Sequence, residues 1–405
     1  HTFIGKDDRL FYSVIPNKDT LDLEDVKVVD SHFYRNAAPD MDESKMEAIV
    51  RDRIESNPDD ICRDSCFDEE GFLYPDISQL PDDLKPRVLK LFKEFAHIWS
   101  QDKFDWRPSQ SIPEQDIGLP DNVHVSAKPR SFSYEERKII SEYIKNMVSN
   151  GAMIKLDKAP RFQFSPFLVP KSFTGDKISS EKLFVGRQQM IKQHGARLTS
   201  DMRKINDVTK VFTPPLLENF IEMLPDFHGK IVFTADFSSF FFQIRKLRSQ
   251  ALECGMMDPT TGDWYSNVSL DQGHVNSPSI AQHVVSNIVL SQSNWEKFRR
   301  DFSHLYPNVN MHPDKARTWK AYIDDVSARV SNADELLYCL HFLLLMCHQN
   351  DLRLSPSKFS LKYEVQILGF SVNSLENKYS MNSERVSGLL QSPLALSKKA
   401  IKSKL

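Results

Sequence analysis

Long apolar runs are missing from this chain of 405 residues, and its first residues show no signal-peptide pattern. A spanning helix needs about 18 or more consecutive apolar residues, so nothing indicates membrane insertion or secretion. Cysteine is scarce. Cys62, Cys66, Cys254, Cys339 and Cys347 are odd in number and scattered, which excludes a disulfide framework and zinc-knuckle spacing and fits reduced thiols in an intracellular protein. Asp-Thr-Gly and Asp-Ser-Gly are absent, so there is no aspartic-protease site. A strong overall charge is lacking too, the net value being −3. That balance conceals an asymmetry: residues 1–100 carry 13 Lys and Arg against 23 Asp and Glu, and the rest 39 against 32. A mildly basic body behind an acidic leader is compatible with a polyanion partner without requiring one.

What is present suffices for a packed core. Apolar residues make up 40% and aromatics 11%, with 27 Phe, in a chain long enough for two or three subdomains. Residues 1–80 are rich in Asp, Asn, Ser and Pro without a sustained period and read as an acidic leader or polyprotein linker. Residues 81–130 open with a helical stripe (Leu84, Val88, Leu91, Phe92, Phe95) that leads into the folded body. Ser133 to Glu136 is a capping box, and Asn150-Gly151 supplies the stop of the helix it starts. Two extended runs, Phe164 to Lys171 and Ala196 to Met202, flank a long polar loop at 172–194 that is either a flap over a substrate or a plain insertion.

Lys230 to Ala235 reads as a strand delivering Asp236 at its end. A hairpin turning at Pro259 to Gly262 follows, then Gln272-Gly273 before a helix with Ser277 as N-cap and Pro278 in its first turn. Asp334 to His348 is a strongly apolar helix that places Cys339 and Cys347 in the core, and Val365 to Phe370 reads as a strand. Ser383 to Leu390 begins another helix.

The stretch that organises the rest is Lys320 to Val330, where Asp324 and Asp325 interrupt a β-prone apolar run. A strand alone would turn one of the two inward, and an unpaired buried carboxylate is costly. The geometry that avoids this is a tight hairpin with both aspartates at its tip, an arrangement suited to a hard cation such as Mg²⁺. An Asp-Asp turn by itself is common; a second carboxylate segment and a glycine turn upstream make this one different.

Together these segments resemble a reverse transcriptase, most like the polymerase of gypsy-type LTR retrotransposons and the retroviruses, over about residues 95–400. Phe233 to Ile244 is similar to the family's first carboxylate motif, Leu270 to Gln282 to its template–nucleotide motif and Tyr322-Ile-Asp-Asp325 to its second carboxylate motif. Leu368-Gly369-Phe370 resembles the primer grip, and Arg197 to Asn206, preceded by Ser165 to Lys171, the fingers motif. Asp271 stands where the family usually has proline, and the 171–197 loop is longer than its usual turn.

The resemblance implies an α+β right-hand polymerase, an antiparallel palm sheet backed by helices. Fingers are expected over 131–230, palm over 231–380, and only the start of a thumb over 381–405. It implies RNA- and DNA-templated DNA synthesis with two Mg²⁺ ions, or Mn²⁺ in their place. Asp236, Asp324 and the Phe237 carbonyl would be ligands, with Asp325 as the third catalytic carboxylate. Lys171 and Arg197 would hold the triphosphate, Phe241 would sit under the sugar and Gln272 would line the nucleotide pocket. Tyr322 either touches the primer or packs, and Lys358 is either a general acid for pyrophosphate or a solvated turn lysine. Implied partners are a primed RNA or DNA template and dNTPs, with RNase H, integrase and protease outside this chain, no membrane, and a cytoplasmic location in retrotransposon particles. A defective or domesticated element protein that binds nucleic acid or assembles particles is the alternative.

Overall fold

The computed structural model describes residues 2–4, 10–12, 65–67, 73–78, 80–101, 107–127, 130–170, 196–213, 230–362, 364–367, 370–374, 376 and 378–381. The chain divides into two compact units, His1–Pro58 and Asp59–Leu405. In the first, Thr2–Ile4 (β1) and Leu10–Tyr12 (β2) pair antiparallel. Most of the acidic leader, the 172–194 loop and the 383–390 helix lie outside the described residues.

In the second unit, Ser65–Phe67 (β3) pairs with Leu73–Pro75 (β4), and Lys85–Glu94 (α1) follows, burying Val88 and Phe92 as the stripe predicts. The capping box is realised in full: the Ser133 side chain accepts from the Glu136 N–H and starts Tyr134–Ser149 (α2). Gly151 ends the helix at a φ of 71°, a conformation that carries no steric penalty without a Cβ.

A five-stranded sheet comes next. It is built from Met153–Leu156 (β5), Phe162–Pro170 (β6), Ala196–Asp201 (β7), Cys254–Met257 (β9) and Trp264–Asn267 (β10), in the order β5-β10-β9-β6-β7. Ile140, Ile144 and Met147 of α2 join Phe162, Phe164 and Leu168 of β6 in one apolar cluster beneath it. The β9–β10 hairpin turns through Gly262 at a φ of 77°, where the sequence predicts.

The second sheet carries the carboxylates. Ile231–Asp236 (β8), Trp319–Tyr322 (β11), Asp325–Val330 (β12) and Ser360–Lys362 (β13) are ordered β11-β12-β8-β13, and each neighbouring pair is antiparallel. Ala333–Gln349 (α4) packs behind it, capped by the Asn332 side chain on the Glu335 N–H and burying Cys339 and Cys347 as expected. Phe342 of α4 lies 5.0 Å from Trp295 and 5.4 Å from Trp319, and Trp319 lies 5.4 Å from Phe233 of β8. Each such ring contributes roughly 1.5–3 kcal/mol by leaving water, so the sheet is anchored to its helices from the face away from the carboxylates.

Two local expectations fail. Val365 to Phe370 is not one strand: Glu364–Ile367 (β14) and Phe370–Asn373 (β15) pair antiparallel, with Lys378–Met381 (β16) beyond. Its apolar residues suit either arrangement, and only long-range pairing selects two strands. Ser277 is not the N-cap of Ser277–His283 (α3), since Asn276 holds that position without a side-chain cap bond. The Ser277 hydroxyl instead donates to the Asp271 carbonyl at 2.8 Å.

Candidate active site

Three carboxylates are delivered to one end of the four-stranded sheet. The β8–β12 register sets Asp236 opposite Asp325, and the β11–β12 register sets Asp325 opposite Tyr322. The hairpin tip is therefore Ile323-Asp324, a correction to the expected Asp324-Asp325 tip: Asp325 is the first residue of β12, with its side chain exposed. Ile323 has a φ of 60°, unusual for a β-branched residue. Strain of this kind persists only where the surroundings enforce it. Here Gln282 enforces it: the Ile323 N–H donates to its Oε1 at 2.6 Å, and its Nε2 donates to the Ala321 carbonyl at 3.1 Å. Sequence reasoning missed Gln282 as a clamp, although a polar residue within the apolar stripe Ile280 to Val289 was a visible signal.

The Asp236 backbone is fixed as firmly. Its carbonyl accepts from the Ser355 N–H at 2.9 Å, and the Phe237 N–H donates to the Asp324 carbonyl at 3.2 Å. Phe237 is buried, stacked on Phe240 with ring centroids 4.6 Å apart. Lys358, the last residue of the short 3-10 turn Pro356–Lys358, brings Nζ to 2.9 Å from Asp236 Oδ2. This lysine, one of the sequence candidates, therefore reaches the carboxylates while most of its side chain stays in solvent.

The expected convergence of all three carboxylates on one cation is not met. Among the described residues no group of three His, Cys, Asp or Glu has metal-holding geometry, and an ammonium lies against Asp236 instead. The electrostatics nevertheless favour a cation. Burial pushes the Asp236 carboxyl above its usual range, opposed by Lys358 and reinforced by Asp324. Asp325 reaches solvent, yet the protein around it removes enough water, with Asp236 and Asp324 adding repulsion, to push it up to about 6. Clustered hard oxygen donors that resist carrying charge side by side are a donor set a divalent cation relieves.

A stability prediction follows from Asp325. The native state binds a proton there more tightly than the unfolded chain does, about 6 against 3.8, so stability falls as pH rises from about 4 through 6. Asparagine does not titrate. With EDTA present, Asp325→Asn should melt higher than the parent at pH 7.5, by at most about 1 kcal/mol after solvent screening. At pH 3.5 the gain should vanish. Equal melting differences at both pH values would contradict the assignment.

The other candidates divide. Tyr322 is half-buried opposite Asp325, and Phe241 is half-buried against the larger apolar cluster. Gln272 is half-buried in the turn that follows Asp271. Phe370 begins β15. Lys171, Leu368 and Gly369 lie outside the described residues, and of Arg197 only the strand position is described, opposite Val169.

Comparison with known proteins agrees with this fold. Residues 190–372 match the family model described as "Reverse transcriptase (RNA-dependent DNA polymerase)". A comparison with curated proteins finds no match. Among solved structures, a foamy viral protease-reverse transcriptase in complex with double-stranded DNA is similar over 80% of this chain and 49% of its own, at 17% identity and a TM-score of 0.58. A foamy viral protease-reverse transcriptase with an RNA/DNA hybrid is similar over 80% and 38%, at 17% identity and a TM-score of 0.56. The native protease-reverse transcriptase of prototype foamy virus is similar over 73% and 33%, at 16% identity and a TM-score of 0.52. The chain spans between a third and a half of the length of these structures. At such identities the likeness establishes the fold: a right-hand polymerase of mixed α+β type, its central, largely antiparallel sheet backed by helices. Residues 190–372 thus resemble a reverse transcriptase (RNA-dependent DNA polymerase) domain, on a fold similar to that of the foamy viral enzymes.

Proposed function

We propose that the chain extends a primer 3′-hydroxyl with dNTPs on RNA or DNA templates, as part of a gypsy-type retroelement polyprotein. The single observation that carries this reading is the pairing of Asp236 with Asp325 across β8 and β12, with Asp324 at the adjoining turn. Asp236 and Asp324 would hold two Mg²⁺ ions, with the Phe237 carbonyl as a further ligand and Asp325 balancing the charge. When bound, such ions activate the attacking oxygen and stabilise the leaving pyrophosphate.

The remaining work falls to the chain's own groups. Gln282 and the Ser355 N–H hold the two carboxylate segments in register. Lys358, on a largely solvated side chain beside Asp236, is placed to give a proton to the departing pyrophosphate. Phe241 lies under the sugar and Gln272 beside the nucleotide; Lys171 and Arg197 hold its phosphates, and Leu368 to Phe370 steady the primer, as the family motifs suggest. Tyr322 touches the primer end. Fingers then occupy about 131–230 and palm 231–380, leading to a thumb. The described helices include none long and apolar enough to cross a membrane. We assign the protein to the cytoplasmic particles of such an element.

Primer extension on a defined RNA template, with Mg²⁺ and deoxy- or ribonucleotides in turn, tests this directly. Template-dependent deoxynucleotide incorporation is expected. Tight primer–template binding without incorporation under Mg²⁺ or Mn²⁺ would favour the binding-only alternative.

A further inference from the structure

Lys246 and Asp271 form an ion pair sealed from solvent: both side chains are 0% exposed and Nζ lies 2.6 Å from Oδ2. The second carboxylate oxygen accepts from Asn267 Nδ2 at 2.6 Å. Such a pair is a poor device for stability, because the loss of hydration offsets the attraction, and apolar residues of equal volume often fold as well. What a buried pair supplies instead is direction. Two short bonds to one carboxylate fix where the Asp271 backbone lies.

The next residue is Gln272. On its far side the loop is gripped again: Asn206 donates to the Gly273 carbonyl at 2.9 Å and accepts from the Val275 N–H at 2.9 Å. Gly273 has a φ of 99°, and a Cβ there would meet the Ser200 carbonyl at 2.8 Å, so the loop is pressed against β7 as no other residue would allow. His274 is buried beside it and held neutral, burial lowering it to about 4. Between two clamps, the half-buried Gln272 amide has no hydrogen-bond partner among the described residues. A recognition group on a rigid loop needs this combination, with its backbone immobilised and its side chain unspent.

We propose that the Lys246–Asp271 pair is a positioning device for Gln272, holding its amide ready for the incoming nucleotide. The inference rests on the reading of Gln272 as a nucleotide contact, and the test separates the two.

The measurement is the Kd of the next dNTP on a dideoxy-terminated primer annealed to RNA, with Tm followed in parallel. It uses the whole chain and needs no turnover. Gln272→Ala should weaken dNTP binding. Lys246→Met with Asp271→Leu should retain the parent's cooperative melting while weakening dNTP binding about fivefold, the worth of one well-placed hydrogen bond. Added to Gln272→Ala, the same pair of changes should weaken binding no further, because the device acts through the missing amide. An equal loss in both backgrounds would overturn the proposal, as would unchanged Kd in a folded double variant when Gln272→Ala alone weakens binding. Unchanged Kd for Gln272→Ala itself would overturn the nucleotide reading and the inference with it. Should the double variant fail to fold, the nearly isosteric Asp271→Asn is compared in the same two backgrounds and read by the same criteria.

Discussion

Asp236→Asn and Asp324→Asn should each abolish primer extension, by several orders of magnitude, while leaving the protein folded. Each change keeps the shape of the side chain but removes a ligand charge that both metal ions would share, and those charges are worth most in the transition state. The fold should survive because burial already raises the Asp236 carboxyl against its partner Lys358, so the native structure does not depend on that charge. The Lys358–Asp236 contact that is lost is largely solvated on the lysine side and stabilises little. Gln282 still clamps the hairpin in the Asp324 variant, since its bonds go to backbone atoms of Ala321 and Ile323. Single-turnover extension with Mg²⁺, beside a thermal melt, reads both consequences. Either variant retaining more than about a tenth of the parent rate would remove that residue from the metal site, since a lost shared ligand should exceed 1.4 kcal/mol.

Phe241→Val should admit ribonucleotides at least tenfold better relative to deoxynucleotides, a change of about 1.4 kcal/mol in discrimination. The three consecutive phenylalanines lie on the helical turn Phe240–Gln243 rather than on a strand, so they fan out by about 100° each instead of alternating. Phe240 is 3% exposed and stacks on Phe237. Phe242 is 9% exposed and belongs to the other apolar cluster, under the five-stranded sheet. Phe241 alone of the three is only partly buried, five residues beyond Asp236. With Phe241 under the sugar, as proposed, its ring would offer a 2′-hydroxyl neither room nor a partner, and an unsatisfied buried hydroxyl costs about 1–3 kcal/mol. Phe240→Val is the control: it should lower Tm markedly and leave sugar choice alone, because it opens a cavity in the core. Equal loss of both sugars in Phe241→Val, with their ratio unchanged, would return Phe241 to a packing role.

Much of the local structure was legible because it depends on neighbours in the chain. The Ser133 to Glu136 box, the Gly151 stop, the Gly262 turn and the Ala333–Gln349 helix are all decided within a few residues. Asp236 at a strand end and a tight hairpin around Asp324 were legible for the same reason: the cost of burying a carboxylate permits few placements. Which residues form the tip was not. The register of β11 against β12 moves it by one position, and register is set by the whole sheet.

By itself, then, the sequence determined the order of the elements, the carboxylates that end them and the glycines that turn them, since propensity, steric freedom and desolvation act at short range. Tertiary structure decided what could come only from residues distant in the chain. It drew Lys358 across 122 positions to Asp236 and set Gln282 against a strained Ile323. It also joined Lys246 to Asp271 out of reach of water. Charges and amides such as these carry no period and look like solvated surface when read in order. Their partners become visible only when packing has excluded the water that would otherwise satisfy them.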